Sequence, residues 1–329
     1  MEKKTLYTAI KPTGVLTLGG YIGVGQQIQE LCNDYNSYIC VADLHALTIN
    51  PNPEELRENT YKLVAFYLAL GLDPKKCTLY VQSQVPAHSQ LSWVLNNFTM
   101  MGEATRMTQY KDYLAKSKEV NVGILDYPVL MAGDILLFDT DIVPVGFDQK
   151  QHVELCRNIA IRFNHKMGET FKVPDVLMRK SGSKICGLYD PTKKMSKSDR
   201  VDTGTILIED DAETIRKKVK KAVTDSEGVI RYDVENKPGV SNLLTIFATL
   251  NKITVESAEE QFKGANYGTL KTEVAEAIVN ALAPVQKKYF ALLEDKEKLD
   301  KILLEGKTKA EKKANEKLRE VYDKLGLIR

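Results

Sequence analysis

Long hydrophobic runs are absent from this sequence of 329 residues. No apolar segment approaches the ~20 residues that a membrane-spanning helix needs, so we expect no association with a membrane. The opening residues, MEKKTLYTAI, also lack the apolar core of a secretory signal peptide. These features predict a protein of the cytoplasm.

Cysteines with metal-binding or redox spacing are missing as well. The chain has five cysteines, an odd number, and no two of them have C-x-x-C spacing, which argues against a disulfide framework and a zinc knuckle. We therefore expect reduced thiols, mostly in the core, and no metal ion held by protein side chains. The residues concerned are Cys32, Cys40, Cys77, Cys156 and Cys186.

An excess of charge of one sign is absent too. The net charge is +2, with 27% charged and 43% hydrophobic residues, which is typical of an ordinary globular protein. A protein that binds nucleic acid over its whole surface is thereby excluded, so such a partner would have to meet a local basic patch. The length suffices for two domains with a sizeable core.

What the first part of the chain does contain is an alternation of strand and helix patterns. Short apolar runs at residues 6–10, 37–42, 77–82 and 140–146 predict the strands of a parallel sheet. One face of a first helix would run from Tyr21 to Leu31, and Gly71 would end the second helix. A further helix, with Asp148 at its N-cap, would follow the fourth strand.

The order of these elements also predicts where a ligand binds. In parallel α/β sheets, ligands lie beyond the carboxyl ends of the strands, which directs attention to residues 10–20, 43–45 and 82–88. From Asp210 onward, by contrast, the pattern is almost entirely helical. The sequence therefore predicts an α/β domain followed by a smaller all-helical domain.

The turn KPTGVLTLGGYIG, which follows the first strand, is rich in glycine. Gly14 and Gly19 have the G-x-x-x-x-G spacing of a phosphate-binding P-loop. Gly20 and Tyr21, however, stand where the Lys and Ser/Thr of that loop belong. Two interpretations remain: the glycines permit a tight turn with positive φ, or they let a nucleotide approach the backbone while Thr17 hydrogen-bonds a phosphate.

A second stretch, PTKKMSKSD, would by itself be a solvated surface loop. Together with the glycine-rich turn, however, its KMSKS segment resembles the signature pair of the class I aminoacyl-tRNA synthetases. Within that class the chain is most similar to the bacterial tryptophanyl-tRNA synthetases, and the similarity covers nearly the whole chain. Further stretches that carry the resemblance are DLHALT, QSQVPAH, LMAGDILLFDTDIVPVGFDQKQHVEL and AVTDSEGVIRYD.

The resemblance implies that ATP and tryptophan form an aminoacyl-adenylate and pyrophosphate, after which the amino acid moves to tRNA(Trp). Mg²⁺, bound through the ATP phosphates, would be the cofactor. Thr17, Lys194 and Lys197 would be catalytic, since lysine is a compact charge on a flexible stem that can follow developing phosphate charge. ATP would bind at Lys11, Pro12, Thr13, Gly19, Gly20, Gly146, Phe147, Asp148, Ile185, Lys194, Met195, Ser196, Lys197 and Ser198.

The resemblance also implies a pocket for the indole ring, lined by Tyr7, His45, Met131, Asp134, Val143, Val145 and Gln149. Asp134 lies in an apolar run, where an unpaired carboxylate would be costly. It is either a capping or surface residue, or the acceptor for the single N–H donor of indole. For His45 and Ile185 a second interpretation is open, in which both are ordinary core residues without a role in binding.

By the same resemblance, a Rossmann-like catalytic domain would span residues 1–189. Residues 190–284 would carry the KMSKS loop and bind the anticodon, and the last helix, about 285–329, would pack back on the catalytic domain. Helices within about 93–125 would form a homodimer interface. The basic residues 216–221 are either a solvated helix face or a contact for tRNA phosphates.

Two positions depart from the family pattern. Gly20 stands where Asn is common, which removes a polar side chain near the phosphates. Lys11 stands where Gln is frequent, and a lysine there would supply a replacement contact. Two alternatives stay open: a synthetase-like RNA-binding or regulatory protein with weak catalysis, and a tyrosyl-tRNA synthetase, whose pocket must both donate to and accept from a phenol.

Overall fold

A five-stranded parallel sheet forms the centre of the structure, a computed structural model that describes residues 3–25, 27–116, 119–146, 149–178, 185–195 and 204–328. The strands are β1 (Thr5–Ile10), β2 (Asn36–Val41), β3 (Thr78–Val81), β4 (Ile142–Val145) and β5 (Asp175–Met178). They lie side by side in the order β3-β2-β1-β4-β5. The α/β class is confirmed, and the four predicted strands are correct to within two residues at each end.

Helices surround this sheet. They are α1 (Leu18–Gly25), α2 (Ile28–Asn33), α3 (Asp43–Ala46), α4 (Pro53–Ala69), α5 (Ala87–Asn96), α6 (Met101–Ala104), α7 (Thr108–Lys116), α8 (Val122–Leu136), α9 (Lys150–Met167), α10 (Ala212–Lys220), α11 (Pro238–Asn251), α12 (Val255–Gln261), α13 (Tyr267–Glu294) and α14 (Lys296–Leu325). No described helix is long and apolar enough to cross a membrane.

Two hydrophobic clusters lie on the two faces of the sheet. Leu6 of β1 and Leu79 of β3 belong to the cluster formed with α1, α2, α4 and the helices α10 to α13. Their neighbours Tyr7 and Tyr80 belong to the cluster formed with α5, α8, α9 and α14. Because successive side chains of a strand point to opposite faces, a sheet covered on both sides needs continuous apolar runs, which is why the strands were recognisable.

The first helix differs from the prediction. A single helix was expected from Tyr21 to Leu31, but the structure has two short ones, α1 and α2, with Gly25 at the end of the first. The sequence of α1, LGGYIGVG, is half glycine, and glycine is among the poorest helix formers. A long helix is therefore not sustained, although Ile28 and Leu31 are buried as expected.

Strand β5 was not predicted. It pairs only with β4, at the edge of the sheet, and none of its four residues is fully buried. An edge strand that buries neither face has no need of an apolar run, so the sequence of residues 175–178 shows no strand signal.

The C-terminal helices also begin elsewhere than predicted. The last helix was expected at about 285–329, but α13 continues through Pro284 to Glu294, and α14 begins only at Lys296. Burial of Leu282 and Val285 on either side of the proline stabilises the continuous helix. Helix α14 then packs directly against β3, where a Cβ on Gly306 would lie 1.8 Å from the Leu79 carbonyl oxygen.

The cysteines match the prediction. All five are free thiols, and all five are buried.

Candidate functional site

A cavity of about 420 Å³ opens beyond the carboxyl ends of β1 and β4. These two strands are neighbours, yet the chain leaves β1 toward β2 and β3 on one side and leaves β4 toward β5 on the other. The point where the chain direction reverses is the usual place for a ligand in an open α/β sheet, because the loops there diverge and leave a crevice.

All seven residues predicted to surround the indole line this one cavity: Tyr7, His45, Met131, Asp134, Val143, Val145 and Gln149. Of the predicted ATP residues, Lys11, Thr13 and Gly146 line the same cavity. Pro12 lies in a small adjoining cleft beside α4. The structure thus brings residues from positions 7 to 149 of the chain to one concave site.

Asp134, on α8, is the charged centre of the cavity wall. Its side chain is completely buried, and both carboxylate oxygens already accept hydrogen bonds. Oδ1 accepts from Gln82 Nε2 at 2.7 Å and from His88 Nδ1 at 2.6 Å, and Oδ2 accepts from His45 Nε2 at 2.8 Å. Since a carboxylate oxygen can accept two hydrogen bonds, Oδ2 retains capacity for one more donor from the cavity.

The surroundings of Asp134 keep it ionised. Burial by itself raises the pKa of this carboxyl group, because it disfavours the charged form. The electrostatic interaction with His88 and the hydrogen bonds from His45 and His88 outweigh that effect, and they hold the pKa well below its usual value. The cavity therefore offers a buried anion with one free acceptor position, which suits a ligand with an N–H donor.

Gln82 and His88 are partners of Asp134 that were not identified individually from the sequence. They follow β3 in the stretch QSQVPAH, and the rule on strand ends pointed to residues 82–88 without assigning them roles. The His88 ring has a second polar contact, since its Nε2 lies 3.1 Å from the Tyr80 hydroxyl. The side chain of Gln82 is buried, and its Oε1 has no hydrogen-bond partner among the described residues.

Tyr7 brings a second polar group to the cavity wall. Its hydroxyl is buried. Burial and the nearby charge of Asp134 raise the pKa of Tyr7 well above its usual value, so the phenol stays protonated. The ring stacks on Phe138, with 5.6 Å between ring centroids, which fixes its orientation.

Helix α8 also brings Tyr127 to the cavity, a residue that was not predicted from the sequence. The Tyr127 hydroxyl donates to Gln109 Oε1 at 2.5 Å and lies 2.8 Å from His152 Nε2. Tyr127 and Gln109 both line the cavity. Nothing in the local pattern of α8 distinguishes Tyr127 from a core residue, since the contact to α9 joins positions 25 residues apart.

On the other side of β1, the two signature stretches contact each other. A Cβ on Gly19 would lie 3.5 Å from the Met195 carbonyl oxygen and 3.8 Å from Ile185 Cβ. Ile185 and Met195 are both buried. Helix α1 therefore packs against the start of the KMSKS segment at Gly19, at distances that are ordinary for a Cβ contact.

Thr17 immediately precedes α1 and caps it. Its hydroxyl accepts a hydrogen bond from the Gly20 N–H at 3.2 Å, and its carbonyl accepts from Tyr21 N–H at 2.9 Å. The side chain is buried. Gly20 lies inside the helix and does not have positive φ, whereas Gly14, with φ +72°, makes the tight turn that its glycine suggested.

The remaining predicted ATP residues divide into two groups. Lys194 is exposed, and so is Lys11 as a whole, although desolvation of its ammonium group lowers the pKa of Lys11. Phe147, Asp148, Ser196, Lys197 and Ser198 lie outside the described residues. The predicted N-cap at Asp148 is therefore not described, and Gln149 occupies the position before α9.

The basic side of α10 is largely paired with acidic side chains. Arg216 forms two hydrogen bonds with Glu276, at 2.6 and 3.0 Å. Lys217 pairs with Glu213 on the same helix, and Lys218 pairs with Asp210, each at 2.6 Å. These three cationic groups are thus engaged by carboxylates, which argues against a dedicated phosphate contact.

Comparison with known proteins agrees with this geometry. Residues 1–283 match the family described as "tRNA synthetases class I (W and Y)". The tryptophan–tRNA ligase of Bacillus subtilis (strain 168) is 50% identical over 327 residues, 99% of both chains. The crystal structure of tryptophanyl-tRNA synthetase from Mycoplasma pneumoniae matches with a TM-score of 0.86 and 38% identity, and covers 100% of this chain and 99% of that one. The structure from Campylobacter jejuni, complexed with ADP and tryptophan, matches with a TM-score of 0.86 and 36% identity over 98% and 100% of the two chains. The chain therefore belongs to the class I tRNA synthetases of the tryptophan and tyrosine family.

Proposed function

We propose that the protein is a tryptophan–tRNA ligase, which activates L-tryptophan with ATP to tryptophanyl-adenylate and pyrophosphate and then transfers tryptophan to tRNA(Trp). The observation that carries this proposal is the buried carboxylate of Asp134, whose Oδ2 can accept one more hydrogen bond from the cavity. Relatives named as tryptophan–tRNA ligases, similar over nearly their whole length, support it.

Tryptophan fits this cavity by its chemistry. Indole has one N–H donor and no acceptor, so it satisfies the free position on Asp134 without presenting a lone pair to the anion. Val143 and Val145 of β4 and Met131 of α8 supply apolar surface for the ring. At the polar end, Gln149 and Tyr127 offer oxygen atoms that suit the substrate ammonium.

We place ATP at the glycine-rich turn and the KMSKS segment. Lys11 and Thr13 lie where the tryptophan cavity meets that turn, and Lys194 precedes Met195 of the KMSKS segment. Ammonium and hydroxyl groups of this kind suit phosphate oxygens. Mg²⁺, carried on the phosphates, would supply further charge neutralisation, and Lys197 would add a positive charge that acts as pyrophosphate leaves.

The reaction needs little covalent chemistry from the protein. The tryptophan carboxylate attacks the α-phosphorus of ATP, and pyrophosphate departs with the electron pair of the broken bond. The residues on the two sides of β1 would hold these reactants in line, and positioning of this kind accounts for much of the catalytic effect.

For tRNA and for the second subunit we propose the surfaces that the sequence indicated. Residues 190–284, the helical part, would bind the anticodon. Trp93 is 73% exposed, and with Met101 and Val122 it borders a groove of about 310 Å³. Exposed apolar groups in one place suit an interface with a second copy, so we propose a homodimer that works in the cytoplasm.

Amino-acid-dependent exchange of labelled pyrophosphate into ATP, measured with each of the twenty amino acids, tests the proposal. We expect exchange with tryptophan alone, and charging of a tRNA(Trp) transcript by the same preparation. Exchange with tyrosine instead would identify a tyrosyl-tRNA synthetase. No exchange by folded protein would favour the regulatory alternative.

A further inference from the structure

Residues 205–210, here called the strap, lie directly beside the glycine-rich turn. The Leu18 N–H donates to the Ile206 carbonyl, and the Ile208 N–H donates to the Leu16 carbonyl, each at 2.9 Å. Thr17 is thus flanked on both sides by hydrogen bonds to the strap, and it forms an antiparallel bridge with Leu207. The contact is buried at its centre, where Thr17, Ile206 and Ile208 have almost no exposed surface.

One lysine of α10 holds both ends of the strap. Lys218 Nζ donates to the Thr205 carbonyl at 2.9 Å and to the Asp210 carboxylate at 2.6 Å. The same carboxylate accepts from the Leu207 N–H at 2.8 Å. Lys218 and Asp210 are 13% and 10% exposed, so solvent weakens this charged pair less than it weakens a surface pair.

A glutamine of α13 holds the strap from a second direction. Gln286 Nε2 donates to the carbonyls of Ile208 and Asp210, at 2.9 and 2.8 Å. Both amide hydrogens are therefore used on the strap backbone. Since α10 and α13 belong to the helical part of the chain, the strap connects that part to the turn that carries Thr17.

We propose that the strap is a positioning element of the ATP site, and that Lys218 and Gln286 are positioning residues that act on Thr17 through the backbone of residues 16–18. The inference rests on the proposed function, because it takes the glycine-rich turn as the place where phosphate binds. We expect weakening of the strap to affect catalysis, because even a small displacement of a group that positions a reactant, here Thr17, lowers the rate strongly. No strap residue lines the cavity proposed for tryptophan, so tryptophan binding stays unchanged when the strap is weakened.

Replacement of Lys218 by Met tests this inference. The substitution keeps a long side chain and removes the donor, and Lys220→Met on the same helix is the control, since Lys220 is exposed. In tryptophan-dependent pyrophosphate exchange, we expect kcat/KM for ATP to fall about tenfold in Lys218→Met, the size expected for one charge-assisted hydrogen bond. The KM for tryptophan stays within about twofold of wild type, and the control variant behaves as wild type.

Further variants separate positioning from general stability. Lys218→Arg keeps the charge and recovers most of the lost ATP kinetics. Gln286→Met removes the second set of donors. We expect a smaller fall in kcat/KM for ATP and again no change in the KM for tryptophan. This variant serves as the test if Lys218→Met does not fold.

The strap would be structural only if the KM for ATP and the KM for tryptophan rise together, or if the melting temperature falls while the kinetics stay unchanged. No exchange by the wild-type protein would overturn the proposed function and this inference together. Wild-type exchange with unaltered ATP kinetics in both folded variants would overturn the inference alone.

Discussion

The two sides of the site, which we propose bind tryptophan and ATP, differ in what holds their polar groups in place. On the tryptophan side, Asp134 is held by the side chains of His45, Gln82 and His88, all within 2.8 Å. On the proposed ATP side, Thr17 and its neighbours are held by main-chain hydrogen bonds to the strap. The first arrangement specifies which side chains must be present, whereas the second depends mainly on where the backbone lies.

This difference predicts two kinds of mutational effect. Substitutions around Asp134 should alter which amino acid is accepted, because they change the hydrogen-bonding demand of a buried site. Substitutions on the ATP side should alter kcat or the use of ATP and leave amino-acid selectivity intact. Each of the following variants separates these outcomes, beginning with the largest expected effect.

Lys197→Ala should give the largest loss of rate. Removal of one donor that stabilises developing charge costs about 3 kcal/mol, or roughly a hundredfold in kcat. The KM for tryptophan should change far less, because the lysine would act on departing pyrophosphate. Steady-state exchange kinetics check this, and a kcat equal to that of wild type would show that the KMSKS segment is only a surface loop.

Asp134→Asn should be the strongest change of selectivity. Asn keeps one oxygen for Gln82 and His88, but it places an NH₂ group where Oδ2 would accept the indole N–H. The loss of transition-state stabilisation, obtained from the ratio of kcat/KM for tryptophan in the two proteins, should be about 1.5–3 kcal/mol, the usual worth of a charged hydrogen bond. The ratio of kcat/KM for tryptophan to kcat/KM for phenylalanine should also fall, because phenylalanine no longer leaves a buried carboxylate unpaired.

Asn is the better substitution here, because Asp134→Ala would leave three buried donors without a partner and endanger folding. Measurements of kcat/KM with tryptophan, tyrosine and phenylalanine, made on the wild type and on Asp134→Asn, test the predicted change of selectivity. Full retention of tryptophan selectivity by a folded Asp134→Asn protein would make Asp134 a structural residue.

His88→Ala should have a smaller effect of the same kind. It removes one of the two donors to Asp134 Oδ1 and leaves the carboxylate less firmly oriented, so kcat/KM for tryptophan should fall about tenfold. His88→Asn restores a donor near the position of Nδ1 and should recover part of the loss. If both variants match wild type in tryptophan kinetics, His88 is not needed to orient Asp134.

Gly20→Asn should have the smallest effect. Gly20 is helical, and the nearest atom that a Cβ would meet is Thr17 Oγ1 at 3.6 Å, an ordinary contact. Asn at this position, common in the family, should leave exchange activity at least equal to that of wild type. A folded but inactive variant would show that the phosphate site depends on the glycine, with Lys11 in the role of the missing side chain.

Gly204→Ala is the matched glycine control. Gly204 has φ +73°, and a Cβ there would lie 2.8 Å from the Tyr189 backbone nitrogen. This change next to the strap should lower stability and activity together, in contrast to Gly20→Asn.

Periodicity and composition predicted the parts of the fold that bury apolar surface. Strands β1 to β4 were recognisable because the sheet is covered on both faces, whereas the edge strand β5 was not, because it is half exposed. The start of the last helix was predicted less well, because α14 begins at Lys296 and not near residue 285.

The candidate site was predictable where a residue follows a strand or belongs to a family motif. The resemblance supplied Asp134 and the six other cavity residues. It did not supply Gln82 or His88 as partners of Asp134, because those hydrogen bonds join positions 52 and 46 residues apart. The strap was missed for the same reason, since Lys218 and Gln286 act through contacts that no local pattern records.

Calorimetric titration of the wild-type protein with L-tryptophan and with β-(3-benzothienyl)-L-alanine tests the central claim most directly. The analogue keeps the size of the indole ring but carries sulfur in place of N–H. If the buried Asp134 carboxylate reads the N–H, the analogue should bind at least about a hundredfold more weakly, since a site built to hydrogen-bond a group rejects analogues that lack it. Equal affinity for the two compounds would contradict the account.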